Sequence, residues 1–247
     1  MRLDFLNKTV LITGGTRGIG SAMADVFESA GASLILTGTK QEDIAVLKSN
    51  YLGSRREYLC LDFTDKVNFQ KFLIQIDSVK SIDVLINNAG INILDEFIYT
   101  KDDDFTQLVK INLEGPYKIS KVVASKMIKN NYGRILNICS IWSKITRPKR
   151  ALYTMTKNAL HGLTQTMAIE LSKHNILVNS LSPGFTLTEL TKQTNSEEEL
   201  ASLSEKIPIG RMALPEEIAN VALFLACDVN SYLTGQNIVV DGGFTNV

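Results

Sequence analysis

Seven short apolar runs, separated by longer stretches of helical spacing, set the strongest limit on what this chain can fold into. They are TVLIT (9–13), SLILTG (33–38), REYLCL (56–61), DVLIN (83–87), RILNIC (134–139), ILVNSL (176–181) and NIVVD (237–241). Most are continuous rather than alternating, the pattern of strands covered on both faces. Between them, Ile19, Ala22, Met23, Val26 and Phe27 form one helical stripe in 18–30. The stretch 101–130 is also helical and opens on DDD, acids that suit a helix N-terminus. A further helix covers 151–173. This alternation predicts an α/β fold, a doubly wound parallel sheet of about seven strands with helices on both faces. No linker, low-complexity tract or repeat divides residues 1–247, which read as one domain. The least regular region is 184–214, punctuated by Pro183, Pro208 and Pro215. Ser196 with Glu199 gives it a capping-box helix start. It reads either as a substrate flap or as an ordinary connection with a surface helix.

Bulk properties exclude several functions. The 26 Lys+Arg balance 26 Asp+Glu, so net charge points to neither nucleic acid nor an anionic membrane. Apolar runs such as VALFLAC (221–227) fall far short of a bilayer span. The opening MRLDFLNKTVLIT lacks the apolar core and cleavage site of a secretory signal. Cys60, Cys139 and Cys227 are far apart, and with only His161 and His174 beside them no metal-ligand set emerges. Reduced thiols, no metal and a cytoplasmic location are expected.

TVLITGGTRGIG (9–20) runs a strand through glycines into an amphipathic helix. Gly14, Gly18 and Gly20 have the spacing GxxxGxG. Gly14 permits a tight exit from the strand, Gly18 lets a pyrophosphate approach the backbone, and Gly20 lets helix and sheet pack closely. The helix N-terminus offers its free N–H groups to the anion. A plain strand–helix turn could also use such glycines, but position after the first strand favours dinucleotide binding. At the second strand's end stand Gly38, Thr39 and Lys40, with no acid before Glu42. A 2′-phosphate meets no carboxylate there, and Arg17 could pair with it, so NADP(H) is favoured over NAD(H). As solvated surface charges, Arg17 and Lys40 would say nothing of cofactor.

YTMTK (153–157) puts Tyr153 and Lys157 on one helix face. An ammonium there favours the phenolate, so the pair can serve as an acid/base near neutral pH. Alone, such a pair is usually a surface accident. Here Ser140 closes RILNICS, and NNAG (87–90) ends another strand at the same edge, where ligands of open α/β sheets bind. Asn112, in KINLEG, sits inside a helix although Asn is a poor helix former that more often back-bonds or bends the chain.

Together, TGGTRGIG, NNAG, KINLEG, NICS, YTMTK, LVNSLSPGFTLT (177–188) and GQNIVVDGG (235–243) resemble the short-chain dehydrogenase/reductase family, in order and over essentially the whole chain. The resemblance implies a Rossmann-type fold and hydride transfer between a nicotinamide cofactor and a carbonyl or secondary alcohol. It makes Tyr153 the acid in reduction and the base in oxidation, and has Ser140 hydrogen-bond the substrate oxygen. Lys157 would lower the tyrosine pKa and bind ribose, while Asn112 would hold a water in a proton relay. On the cofactor side, Thr16, Arg17 and Ile19 accompany the three turn glycines, and Thr39 and Lys40 lie near the adenosine ribose. Asp62 would meet the adenine amine, and Asn88, Ala89 and Gly90 the adenosine side. Pro183, Gly184, Thr186 and Thr188 would hold the nicotinamide amide and pyrophosphate.

Length and layout are most similar to the 3-oxoacyl-[acyl-carrier-protein] reductases, which implies a small or carrier-linked carbonyl substrate. Lys129 and Lys173 could dock an acidic carrier, though both occupy ordinary helix-end positions. The loop IWSKITRPKRAL (141–152) departs from that group, with Lys144, Arg147, Lys149 and Arg150 around Trp142. Trp142, Lys144 and Arg147 are candidate contacts to an anionic substrate, or the loop is a solvated surface or subunit contact. A sugar, polyol or small oxo-acid is the alternative substrate class, and a dinucleotide-sensing regulator the non-enzyme alternative. The family also implies a homotetramer. Val109, Leu113, Leu160, Leu163 and Met167 would supply its apolar face, unless they are buried within one subunit.

Overall fold

The computed structural model describes residues 3–247. Its strands are β1 (Thr9–Ile12), β2 (Ser33–Gly38), β3 (Arg56–Cys60), β4 (Val84–Asn87), β5 (Gly133–Ile138), β6 (Ile176–Pro183) and β7 (Asn237–Val240). They form one parallel seven-stranded sheet in the order β3-β2-β1-β4-β5-β6-β7. The helices are α1 (Gly18–Ser29), α2 (Gln41–Asn50), α3 (Lys66–Ser78), α4 (Asp102–Val109), α5 (Gly115–Asn130), α6 (Ala151–Leu171), α7 (Glu189–Thr194), α8 (Glu197–Glu205) and α9 (Pro215–Ala226). The α/β expectation and the strand count hold.

Side chains alternate across each strand, which divides the core into two layers. Val10, Ile12, Leu34, Leu36, Val84, Ile86, Leu136 and Ile138 pack against Met23 and Phe27 of α1 and Ile218 and Ala222 of α9. Leu11, Ile35, Leu85 and Ile135 face the other way, against Phe72 of α3 and Ile119 and Val123 of α5. Burying each such side chain contributes roughly 1.5–3 kcal/mol, so both layers hold the sheet. That two-sided burial is why the strand sequences read as unbroken apolar runs.

One part of the interior is polar. Asn87 Nδ2 donates to Ser120 Oγ (2.9 Å) and to Asn137 Oδ1 (2.8 Å). Asn137 Nδ2 donates to Thr164 Oγ1 (2.8 Å), which also accepts from Ser180 Oγ (2.9 Å). This seam ties β4, β5 and β6 to α5 and α6 beside the apolar layer. Both amide nitrogens are paired while Asn87 Oδ1 is buried without a partner, so the seam offsets part of the cost of burying polar groups.

The structure moves several expected boundaries. β5 ends at Ile138, so Ser140 lies past the strand and opens a 3-10 turn over Ile141–Ser143. β6 runs on to Pro183, whose missing N–H is harmless at a strand end. The expected capping box is present: Glu199 N–H donates to Ser196 Oγ (3.2 Å), and Ser196 N–H donates to Glu199 Oε2 (2.8 Å). The irregular segment has α7 and α8 inside it, and a backbone bridge pairs Thr186 with Ala213 near its two ends. Of the proposed subunit-facing residues, Leu160 is buried in the chain's own core, whereas Val109, Leu113, Leu163 and Met167 are half-buried.

Candidate active site

The crossover at β1 sets the location. β1 pairs with β2 on one side and β4 on the other, so the chain leaves in opposite directions and a crevice opens at the strands' C-terminal ends. Gly14 and Gly18 both take positive φ, 64° and 56°, conformations that glycine adopts without strain. At Gly20 the constraint is space, since a Cβ there would come within 2.1 Å of Gly14 O. Arg17 stands at the N-cap of α1 without a capping side chain, leaving first-turn N–H groups open to an anion. By contrast α3 is closed by Asp65, whose carboxylate accepts from Val67 and Asn68 N–H. The turn is braced by residues the motif reading passed over. Thr37 Oγ1 accepts from Gly14 N–H (3.0 Å), and Thr13 Oγ1 accepts from Asn88 and Ala89 N–H (3.0 Å each). Asn88 Nδ2 donates to Thr13 O (2.9 Å) and Gly14 O (3.0 Å).

Other expected cofactor residues surround this turn. Thr188 approaches Gly18, its methyl lying 3.5 Å from a Cβ built on the glycine. Thr188 also caps α7, and Thr186 is buried in the bridge to Ala213. Gly184 N–H donates to Val240 O (2.9 Å), extending the β6–β7 ladder past Pro183. Thr16 lies against Gly38 at the end of β2, and Ile19 is half-buried against the core. Thr39, Lys40 and Arg17 are exposed. Asp62 binds its own loop, accepting from Thr64 N–H (2.8 Å) and Thr64 Oγ1–H (2.7 Å). Partial burial alone would raise its pKa, but those hydrogen bonds outweigh it and hold the carboxyl below its ordinary value.

The catalytic candidates converge beside this crevice. Lys157 is buried, and its Nζ donates to Ile138 O at the end of β5 (2.8 Å). The same Nζ lies 5.6 Å from the Tyr153 ring centre. A Cβ built on Gly90 would come 3.4 Å from Lys157 Nζ and 3.3 Å from Asn112 Oδ1, so NNAG, α6 and the Asn112 turn meet here. Asn112 is fully buried in a π-helical turn, Lys110–Glu114, between α4 and α5. Such a widened turn swings a side chain out of helical register. Asn112 does not bond back to its own helix, as its residue type suggested. Its Oδ1 accepts from Ile91 N–H (2.9 Å), and its Nδ2 donates to Ile91 O (2.9 Å) and Thr156 Oγ1 (3.2 Å). Among the described residues, neither the Tyr153 hydroxyl nor Ser140 Oγ has a hydrogen-bond partner. A phenol beside a fixed ammonium can exchange a proton with a polarised oxygen.

Residues 14–245 match the protein family described as Enoyl-(Acyl carrier protein) reductase. The 3-oxoacyl-[acyl-carrier-protein] reductase of Aquifex aeolicus is 38% identical over 98% of this chain and 99% of its own. The chain belongs to the short-chain dehydrogenase/reductase family. It is therefore an oxidoreductase. An NAD-dependent glycerol dehydrogenase of Listeria innocua is 35% identical over 98% of this chain and 95% of its own. A solved gluconate 5-dehydrogenase from Burkholderia cenocepacia, in complex with NADP and tartrate, superposes with a TM-score of 0.91. It is 31% identical, covering 100% of this chain and 98% of that one.

Within this family member the basic loop is organised around Trp142. The indole is buried, with the Arg147 guanidinium 5.1 Å and the Arg150 guanidinium 5.0 Å from its ring centre. Lys144 is exposed, and Lys149 pairs with Glu96 (3.7 Å). Trp142 also meets Phe185 edge-on, at 6.4 Å between ring centres. Counting cations in the sequence could not reveal that two of them meet one aromatic ring. The residues missed earlier, Thr13, Thr37 and Thr156, gave only one signal, a hydroxyl within an apolar run or a helix.

Asn112 gives a local test. Replacing it with Ala should remove the acceptor for Ile91 N–H and lower hydrogen-exchange protection there about tenfold, the ~1.4 kcal/mol of one such bond. Exchange mass spectrometry reads it, and unchanged protection at Ile91 would contradict the assigned contact.

Proposed function

We propose that this oxidoreductase transfers a hydride between NADP(H) and a ketone or secondary alcohol, with Tyr153 as the proton donor in reduction. The observation carrying this reading is the buried Lys157 ammonium, fastened to Ile138 O beside Gly90 and the Tyr153 ring. The glycine turn suits a dinucleotide because a side chain at Gly20 would collide with backbone, while the uncapped N-terminus of α1 faces outward. Gly14, Gly18 and Gly20, with Thr16, Arg17 and Ile19, would hold the pyrophosphate. Asp62, Asn88, Ala89 and Gly90 would line the adenosine side, and Pro183, Gly184, Thr186 and Thr188 the nicotinamide end. NADPH, when bound, supplies the hydride to the carbonyl carbon. Ser140 and Tyr153 polarise the carbonyl oxygen through their hydroxyls, and Tyr153 gives its proton to the alkoxide as it forms. Lys157 holds the ribose and stabilises the ionised phenol, and Asn112 positions a water for reprotonation.

The exposed Thr39 and Lys40 after β2, with Arg17 across the turn, support NADP(H) over NAD(H). The identity to the Aquifex reductase supports carrier-linked 3-oxoacyl reduction as one substrate class. The Trp142 corner, with its two stacked arginines, favours a second, a small oxo-acid or sugar-derived substrate. Exposed Phe105, Tyr117, Met155 and Ile169 on α4, α5 and α6 support assembly into a homotetramer.

Tyr153→Phe is expected to abolish turnover while NADPH still binds, which stopped-flow and equilibrium fluorescence would show. Near-normal turnover in that variant would remove Tyr153 from the chemistry. With one carbonyl substrate, kcat/KM should be at least about tenfold higher with NADPH than with NADH, ~1.4 kcal/mol of discrimination. Equal efficiencies would overturn the cofactor assignment. Light scattering should give about four times the 27.3 kDa chain mass, and a monomer would end the tetramer reading.

A further inference from the structure

Arg150 is an unusual cation. The residue is 9% exposed, and its Nε is buried without a hydrogen-bond partner. Among the described residues no carboxylate pairs with it, although the adjacent Lys149 finds Glu96. A mostly buried guanidinium with no acid beside it is costly, although of its nitrogens only Nε is fully enclosed. Here the neighbouring cation Arg147 has the wrong sign. Burial first, and then Arg147, push the Arg150 pKa below its ordinary value, with Tyr153 acting in the opposite sense. One flank is covered, since the guanidinium lies 5.0 Å from the Trp142 ring centre, where the indole face holds it by cation–π attraction.

The position of this cation matters as much as its state. Arg150 is the N-cap of α6, and its carbonyl accepts from Thr154 N–H (2.8 Å) in the first helical bond. Tyr153 is three residues on, so the two side chains are neighbours across that turn. Trp142 follows Ser140 by two residues, and its carbonyl accepts from Asn158 Nδ2 of α6 (3.3 Å). Ser140, Trp142, Arg150 and Tyr153 thus all belong to the connection from β5 into α6, with Trp142 touching both Arg150 and α6. Arg147 shares the indole but is exposed, so water solvates its charge without a partner.

We propose that Arg150 is the anchor for a carboxylate carried by the substrate, held against Trp142 while Ser140 and Tyr153 engage the carbonyl. The planar fork of the guanidinium suits bidentate pairing with a carboxylate, and desolvation at this corner strengthens it. The assignment rests on the hydride-transfer reading above, and it selects oxo-acids among the candidate substrates. It separates Arg150 from Arg147 and Lys144, which would contribute only screened attraction.

Two measurements test it. In the first, acetoacetate, levulinate and 5-oxohexanoate are compared with their methyl esters as substrates for NADPH oxidation. At least one acid should show a KM about tenfold or more below its ester. Arg150→Gln should erase that difference by raising the acid's KM with little change in kcat, and leave the ester unaffected. Arg150→Lys should restore part of it, and Arg147→Gln should change it less than about threefold. Equal KM values for acid and ester in the unmodified enzyme, or equal losses for both in Arg150→Gln, overturn the proposal. The second measurement needs no turnover. Trp142 is the chain's one tryptophan, so its emission should change saturably on titration with succinate. Neutral succinamide, or succinate added to Arg150→Gln, should leave the emission unchanged. No saturable change with succinate overturns the site even if ketones are reduced. A saturable change without reduction of any ketone keeps the site and instead removes the hydride-transfer reading.

Discussion

An ammonium sealed inside an α/β core needs a partner, and at Lys157 that partner is a backbone carbonyl. The 2.8 Å hydrogen bond to Ile138 O fastens α6 to the end of β5, in the central part of the sheet. Everything else at the site is arranged around this contact. Gly90 lies against it, and Asn112 reaches the same point from a turn of its helix that is widened to π-helical geometry. Removing such a bond would leave a buried charge unpaired, a far larger penalty than the bond's own net contribution. The sheet therefore fixes Lys157 and the helix that carries Tyr153 with the same interactions that keep it folded.

The polar seam through Asn87, Asn137, Thr164 and Ser180 has a related function in the architecture. Apolar layers hold strands together without specifying which helix turn lies over which residue. Directional bonds from Asn87 to Asn137 and from Asn137 to Thr164 specify it, since a shift of α6 by one residue would orphan several buried groups at once. Asn87 and Asn88 are neighbours with opposite tasks. The first points into the seam, while the second clasps the glycine turn through Thr13 O and Gly14 O. One dipeptide thus links the cofactor side of the crevice to the helix that carries Tyr153.

Much of the fold was legible because its determinants are local. The strands announce themselves as continuous apolar runs, since both faces of each are covered, and the glycine turn combines spacing with position after the first strand. The Ser196–Glu199 box was readable for the same reason, as its partners are three residues apart. Asn112 was found as an anomaly, a poor helix former within a helix. Its contact with Ile91, twenty-one residues away, was not readable from spacing. Thr13 and Thr37 looked like ordinary strand residues because their partners lie across the sheet. The basic loop was visible as composition only. That Arg150 is buried and Arg147 exposed on the same indole depends on how residues 141–150 fold back over Trp142, which no pattern of charges encodes.

The pairing of Thr186 with Ala213 closes residues 187–212 into a ring whose base is stitched to the sheet's edge. Nothing inside the ring is needed to complete a strand, and α7 and α8 belong to it alone. Beyond Thr188, which touches the glycine turn, length and sequence there can change without disturbing Tyr153 and Lys157, which α6 carries. A scaffold wired in this way can exchange its clientele while its chemistry stays put.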